Sequence, residues 1–360
     1  MEVNINQGVN KQRIVSLASL KVIALFSLFW WHSALPNPGV DLGARACEFF
    51  FVVSGFLVAY NYSSNTIDPT WKQSFLYVRK KLSAMWPLHL VMFFVSLGLM
   101  PISEIVDKKT IFEALMNLTL LQSWSPNTHT FFAFNGTSWF LSTILFCYFI
   151  SPFLLLSVSN TKRASISFIV ALGMRLLIEV QQILYGSDIT AWNLHVSPVV
   201  RGLEFYAGMA LYPLSLNIRN KFSTSTRYTF GIASILEILM MMICMYLLVH
   251  YSGIWIRGQY VCMFCALIYL YSFDLGIVSK VLSTSLFNIF GGIEFEFFIM
   301  HQVIIRLVDT LSHSLHLSGI IRSMIALVVV LLCCYIWKRY CAKTTKQWME
   351  SFWGKLEEVY

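Results

Sequence analysis

Charge is what this chain has least of. Only 12% of its 360 residues are Asp, Glu, Lys or Arg, about half of the roughly 25% usual in soluble domains. Hydrophobic residues make up 57% and the mean hydropathy is +0.65, so a soluble enzyme is excluded. A heptad and a Gly-x-y period are also missing, and 29 Phe, 16 Tyr and 11 Trp are too many aromatics for a disordered chain. Coiled coil, collagen and disorder therefore drop out. An all-α polytopic membrane bundle remains.

The net charge is +8, but the basic residues are scattered between apolar runs, as cytoplasmic loops of membrane proteins require, so nucleic acid is not an expected partner. Most of the eight cysteines lie inside those runs and read as small hydrophobes. Cys262 and Cys265 form a CxxC, yet no second ligand pair accompanies them, which speaks against zinc.

Ten stretches approach the length of about 20 mainly apolar residues that a membrane crossing needs. They begin near Ser16, Cys47, Ala84, Ser138, Ala164, Pro198, Tyr228, Gln259, Leu286 and Ser318. With both termini cytoplasmic, seventeen lysines and arginines fall on the inner side and four, Arg45, Lys108, Lys109 and Arg257, on the outer. That asymmetry is what the positive-inside rule demands. The first run ends in Trp30-Trp31-His32 and Pro36-Asn37-Pro38 without a small-x-small cleavage site, so it is expected to stay as a helix rather than leave as a signal peptide. The expected organisation is a cytoplasmic segment over 1–15, a ten-span membrane domain over 16–337 and an amphipathic inner-surface tail over 338–360. The long connection from Pro101 to Thr137 holds a semi-apolar stretch, Ile111 to Leu121, expected to be interfacial or re-entrant. It also holds glycosylation sequons at Asn117 and Asn135.

Ionisable residues inside a span are costly and mark candidate sites. Lys21 and His32 are eleven residues apart, which is three helical turns plus about 20°, so both lie on one face roughly 16 Å apart. The bland readings are a snorkelling lysine and a histidine in the aromatic belt. Glu48, Trp139 and His301 are expected at the same outer level as His32, where a carboxylate would fix the tautomer of a catalytic imidazole. On the opposite side, Arg79-Lys80-Lys81 is either topogenic or a binding site for phosphates. Arg175 with Glu179, and Arg201 with Glu204, pair on single helix faces. They support an alternative reading, a transporter or flippase for a glycan or lipid-linked sugar, in which these charges line a polar path.

Several blocks resemble the integral-membrane acyltransferase-3 family. They are Lys21 and His32 with ten residues between, Cys47-Glu48-Phe49-Phe50-Phe51-Val52-Val53-Ser54-Gly55-Phe56-Leu57, the basic run Arg79-Lys80-Lys81 before Pro87, Trp139-Phe140-Leu141, and Phe295-Glu296-Phe297-Phe298-Ile299-Met300-His301. The chain departs from the family pattern at Lys21, usually arginine, and at Ala18, Ala84 and Ile144. The resemblance implies an O-acyltransferase of the bacterial cytoplasmic membrane that moves an acyl group, acetyl or succinyl, from acyl-coenzyme A to a hydroxyl of an envelope glycan or lipid-linked saccharide. It implies acyl-coenzyme A as cosubstrate, with no permanently bound cofactor and no metal. His32 and Glu48 would be catalytic, Lys21, Arg79, Lys80 and Lys81 would bind the coenzyme A phosphates, and Trp139, His301 and Glu296 would serve the substrate or the oxyanion. Direct transfer and a transient acyl-histidine both remain open.

Overall fold

A computed structural model describes residues 14–37, 39–63, 68–105, 107–186, 190–221, 227–250, 258–284, 290 and 292–357. Among the described residues every regular element is helical. The long helices are α1 (Val15–His32), α2 (Leu42–Tyr62) and α3 (Trp71–Gly98), followed after three short helices by α7 (Trp139–Ser157) and α8 (Thr161–Tyr185). The short ones are α4 (Ile102–Ile105), α5 (Lys108–Leu118) and α6 (Thr128–Phe131). After α9 (Thr190–His195) come α10 (Pro198–Lys221), α11 (Arg227–His250), α12 (Gly258–Tyr271), α13 (Ile277–Leu282), α14 (Glu294–Ser312), α15 (Gly319–Ile336) and α16 (Ala342–Glu357).

Helices stand at or close to the expected positions, but not all are long and apolar enough to span. Seven helical stretches are long and apolar enough to cross a membrane. The other three positions hold α12, which has 14 residues, and α10 and α14, which carry several charges along otherwise apolar sequence. The expected ninth start at Leu286 lies outside the described residues, as do Lys11, Arg13 and Arg257.

α2 is the axis of the bundle, with 83% of its most apolar window buried. It packs against α10 with no side chain between the backbones at two points. A methyl on Gly55 would overlap the carbonyl oxygen of Phe205, and one on Gly208 would overlap that of Val52. Small residues at a crossing let membrane helices approach this closely, so van der Waals contact replaces the hydrophobic drive that lipid cannot supply.

The chain begins α1 with a borrowed cap. Ile14 offers no side-chain acceptor. Instead the amides of Val15 and Ser16 donate to Asp274 Oδ2 and Oδ1 at 3.2 and 3.1 Å. A carboxylate there satisfies two orphan N–H groups and complements the helix dipole. Asp274 itself sits at φ +55°, in the left-handed region that aspartate tolerates better than most residues.

The long connection does contain a helix over much of the semi-apolar stretch. α5 exposes Ile111, Phe112 and Leu115 along one side. The two sequon asparagines, however, are fully buried. Asn117 donates to the carbonyl of Ala133 and to Ser138 Oγ at 3.1 and 3.0 Å, and Asn135 donates to the carbonyl of Ile299 at 2.9 Å. Both amides knit the loop to the bundle, which corrects their reading as glycosylation acceptors.

Arg45 also departs from expectation. Read as a loop residue, it is buried in the first turn of α2, with its guanidinium 4.1 Å from the centre of the Tyr260 ring. There it joins a chain of alternating charges. Arg45 meets Glu48 at 2.8 Å, Arg201 meets Glu48 at 3.9 Å and Glu204 at 2.7 Å, and Arg175 meets Glu204 at 3.0 Å and Glu179 at 2.7 Å. Three arginines and three glutamates neutralise one another across α2, α8 and α10. Paired in this way, charges are tolerated in a low-dielectric interior. The four residues expected to line a polar path are therefore consumed in a closed network.

Candidate active site

Two chambers lie toward opposite ends of α1. One, about 390 Å³, is lined by Trp31 and His32 from α1, Asp41, Gly43 and Cys47 from the start of α2, Trp139 from α7, His195 from α9, and Phe298, Gln302 and Arg306 from α14. The other, about 790 Å³, is lined by Lys21 from α1, Lys81 from α3, Glu294 and Glu296 from α14, and Lys338, Lys343 and Lys346 beyond α15. Phe298 faces both. Its ring lies 4.8 Å from that of Phe140 and 5.9 Å from that of Phe50, both of which line the larger chamber, so Phe298 stands between the two.

His32 meets a second histidine. His301, fully buried on α14, places Nε2 3.1 Å from Nδ1 of His32. Its own Nδ1 lies 2.8 Å from the carbonyl of Phe298. A carbonyl only accepts, so Nδ1 of His301 carries the proton, and Nε2 of the neutral ring is an acceptor. His32 Nδ1 lies between that acceptor and the carbonyl of Leu28 at 3.0 Å, so it must be the protonated nitrogen. In neutral His32 the basic lone pair is therefore on Nε2. A relay from Leu28 and His301 fixes the tautomer, the role expected of Glu48.

Glu48 is elsewhere. Its carboxylate is held by Arg45 and Arg201 in the buried network, and the carboxylate that lines the His32 chamber is Asp41. Asp41 also caps α2 by accepting from the amide of Ala44 at 2.9 Å. The sequence placed Glu48 at the right depth, but helix rotation turns it toward α10. Trp139 does line the chamber, its ring 5.0 Å from that of His195 and tilted 49° to it. His301 lies behind His32 with both ring nitrogens engaged, so it is not an oxyanion donor. Glu296 lies in the other chamber, 3.3 Å from Lys338, and does not meet His32.

His195 is the residue the sequence did not reveal. Arg201 donates from Nε to its carbonyl at 2.7 Å, and Arg201 Nη2 stands 3.4 Å from its Nδ1. A guanidinium cannot accept, so Nδ1 is unprotonated and the neutral ring carries its proton on Nε2. The chamber thus pairs a basic imidazole, His32, with one that retains an N–H, His195. No helical spacing signals this, because the Arg201 contact that sets the ring bridges the turn between α9 and α10.

Of the four cations expected at phosphates, Lys21 and Lys81 line the larger chamber, while Arg79 and Lys80 do not. Three consecutive helical residues spread over about 200°, so one cavity collects only one of them. Lys21 pairs with Glu294 at 3.1 Å. The bundle is thus a polytopic membrane protein with a histidine relay at one end of its first helix and a lysine-lined cavity at the other.

The sequence profile of the acyltransferase-3 family, described as an acyltransferase domain, matches residues 14–339, and the chain belongs to that family. A curated relative, Acyltransferase MdmB of Streptomyces mycarofaciens, is 28% identical over 147 residues, a match that covers 36% of this chain and 36% of the relative. The chain thus spans little more than a third of the length of that relative. No solved structure matches.

Proposed function

We propose that the protein is a membrane O-acyltransferase that takes an acyl group, acetyl in the first instance, from coenzyme A at the cytoplasmic face. It passes that group to a hydroxyl of an envelope glycan or lipid-linked saccharide on the far side of a bacterial inner membrane. The reading is carried by one observation: the His32–His301 relay and the lysine-lined chamber are built on the same helix and separated by Phe298.

In this mechanism the coenzyme A phosphates rest among the lysines and the thioester arm passes Phe298. His32 Nε2 takes the proton of the acceptor hydroxyl as its oxygen attacks the thioester carbonyl. Imidazolium charge is then shared with two acceptors, the Leu28 carbonyl and His301 Nε2. The tetrahedral oxyanion accepts from His195 Nε2–H or the Trp139 indole N–H, both on the chamber wall. Collapse breaks the carbon–sulfur bond, and the proton held by His32 passes to the departing thiolate. A positioned general base of this kind contributes about 10²–10⁴ in rate.

Purified protein in detergent, given acetyl-coenzyme A and a panel of envelope glycans, is expected to release free thiol and to label an acceptor. His32→Ala should abolish both without loss of folded protein. A fully active His32→Ala variant defeats the proposal.

A further inference from the structure

The larger chamber is lined in part by a helix outside the family's matched region. The match ends at residue 339, whereas Lys343 and Lys346, both lining the chamber, belong to α16 at 342–357. Three consequences of the sequence bring them there. A π-helical turn over Trp337–Cys341 joins α15 to α16 and carries Lys338 to Glu296; such turns insert a residue into the helical register and often mark functional positions. Lys343 and Lys346 are three residues apart and share a face. The other faces of α16 are anchored: Met349 is buried, while Trp348 and Phe352 stack 6.1 Å apart and stay exposed, as an interfacial helix requires.

The chamber wall holds five lysines and two glutamates. Lys21 and Lys338 pair with those glutamates, and Lys346 also reaches Glu350 at 3.7 Å. Among the described residues no carboxylate pairs with Lys81 or Lys343. In a chain with only 12% charged residues, five lysines against two glutamates on one chamber wall, two of those lysines without a carboxylate partner among the described residues, constitute a polyanion site.

We infer that α16 is a clamp that binds the phosphate groups of a nucleotide-bearing ligand through Lys343 and Lys346, with Lys81 of the adjacent helix α3 lining the same chamber. This rests on the donor reading above, since coenzyme A is the phosphate-bearing molecule that reading supplies. A phospholipid headgroup offers the same chemistry, and the experiment separates the two.

Full-length protein in a phospholipid-free detergent is titrated with coenzyme A, and turnover is measured with the N-acetylcysteamine thioester, a donor without phosphates. For Lys343→Ala/Lys346→Ala the coenzyme A dissociation constant should rise by about tenfold or more, given the strength of charge-assisted contacts. Turnover of the short thioester should stay at the wild-type rate, and Lys343→Arg/Lys346→Arg should recover most of the affinity. Unchanged coenzyme A affinity in the alanine variant overturns the clamp while leaving the acyltransferase reading intact. Wild-type protein that turns over neither donor defeats that reading instead. If the alanine variant loses only the thermal stabilisation conferred by anionic-lipid nanodiscs and keeps its coenzyme A affinity, the lysines serve a headgroup and the clamp is refuted.

Discussion

His301 Nε2 lies 3.1 Å from His32 Nδ1, and the far nitrogen of His301 ends on the carbonyl of Phe298, so the tautomer of the candidate base is set by a residue 269 positions away. His301→Ala removes an acceptor and lets the His32 ring rotate. Its kcat is expected to fall by about a hundredfold, the lower end for loss of an oriented base, with KM for the donor unchanged. His301→Gln, which can still offer an acceptor oxygen, should retain more activity than alanine. Steady-state kinetics on the two variants decide it.

Phe298 separates the chambers, so Phe298→Ala should connect them. Thiol release without acceptor is then expected to rise severalfold as water reaches the thioester, while transfer to glycan falls, because closed sites suppress hydrolysis. The ratio of thiol released to acceptor labelled measures this, and a ratio equal to the wild type removes Phe298 as a barrier.

Glu204 bridges Arg175 and Arg201. Glu204→Gln leaves two buried guanidinium groups short of charge and should cost about 3–5 kcal/mol, enough to lose most folded protein. The half-exposed pair Arg322–Asp309, at 2.9 Å, provides the contrast: Asp309→Asn should cost less than about 1 kcal/mol. Thermal unfolding in detergent compares them.

Gly55 and Gly208 lie where two backbones touch. Gly55→Ala should destabilise by about 1–3 kcal/mol, the range for overpacking a tight interior. Gly231, which has open space around its missing side chain, should accept alanine without loss. The difference in midpoint temperature between the two variants is the readout.

Much of this was legible in the sequence. Apolar runs placed the long helices, because a bilayer fixes both length and composition, and the eleven-residue spacing put Lys21 and His32 on one face. Rotation about each helix was harder to read. Glu48 was assigned to His32 by depth and by the family resemblance, neither of which fixes helix rotation, whereas its i−3 neighbour Arg45 is the nearer partner. Arg79 and Lys80 were grouped with Lys81 by adjacency, although a helix fans them apart. Gln302 and the chamber lysines of α16 depend on packing between distant segments, His195 on a contact across the turn between α9 and α10, and no helical pattern announces such contacts. The tail was read as an amphipathic helix, and a helix forms at 342–357, but its lysines on the larger chamber were not foreseen.

The carboxylate that starts α1 belongs to residue 274. A nascent chain therefore carries its first helix with a frayed beginning until roughly three-quarters of the protein has left the ribosome. The first turn of that helix gains its cap only when the segment after α12 has arrived beside it. Completion of the helix that carries Lys21 is thus tied to late events in biogenesis, and a stalled or truncated product lacking that aspartate is born without the cap of α1.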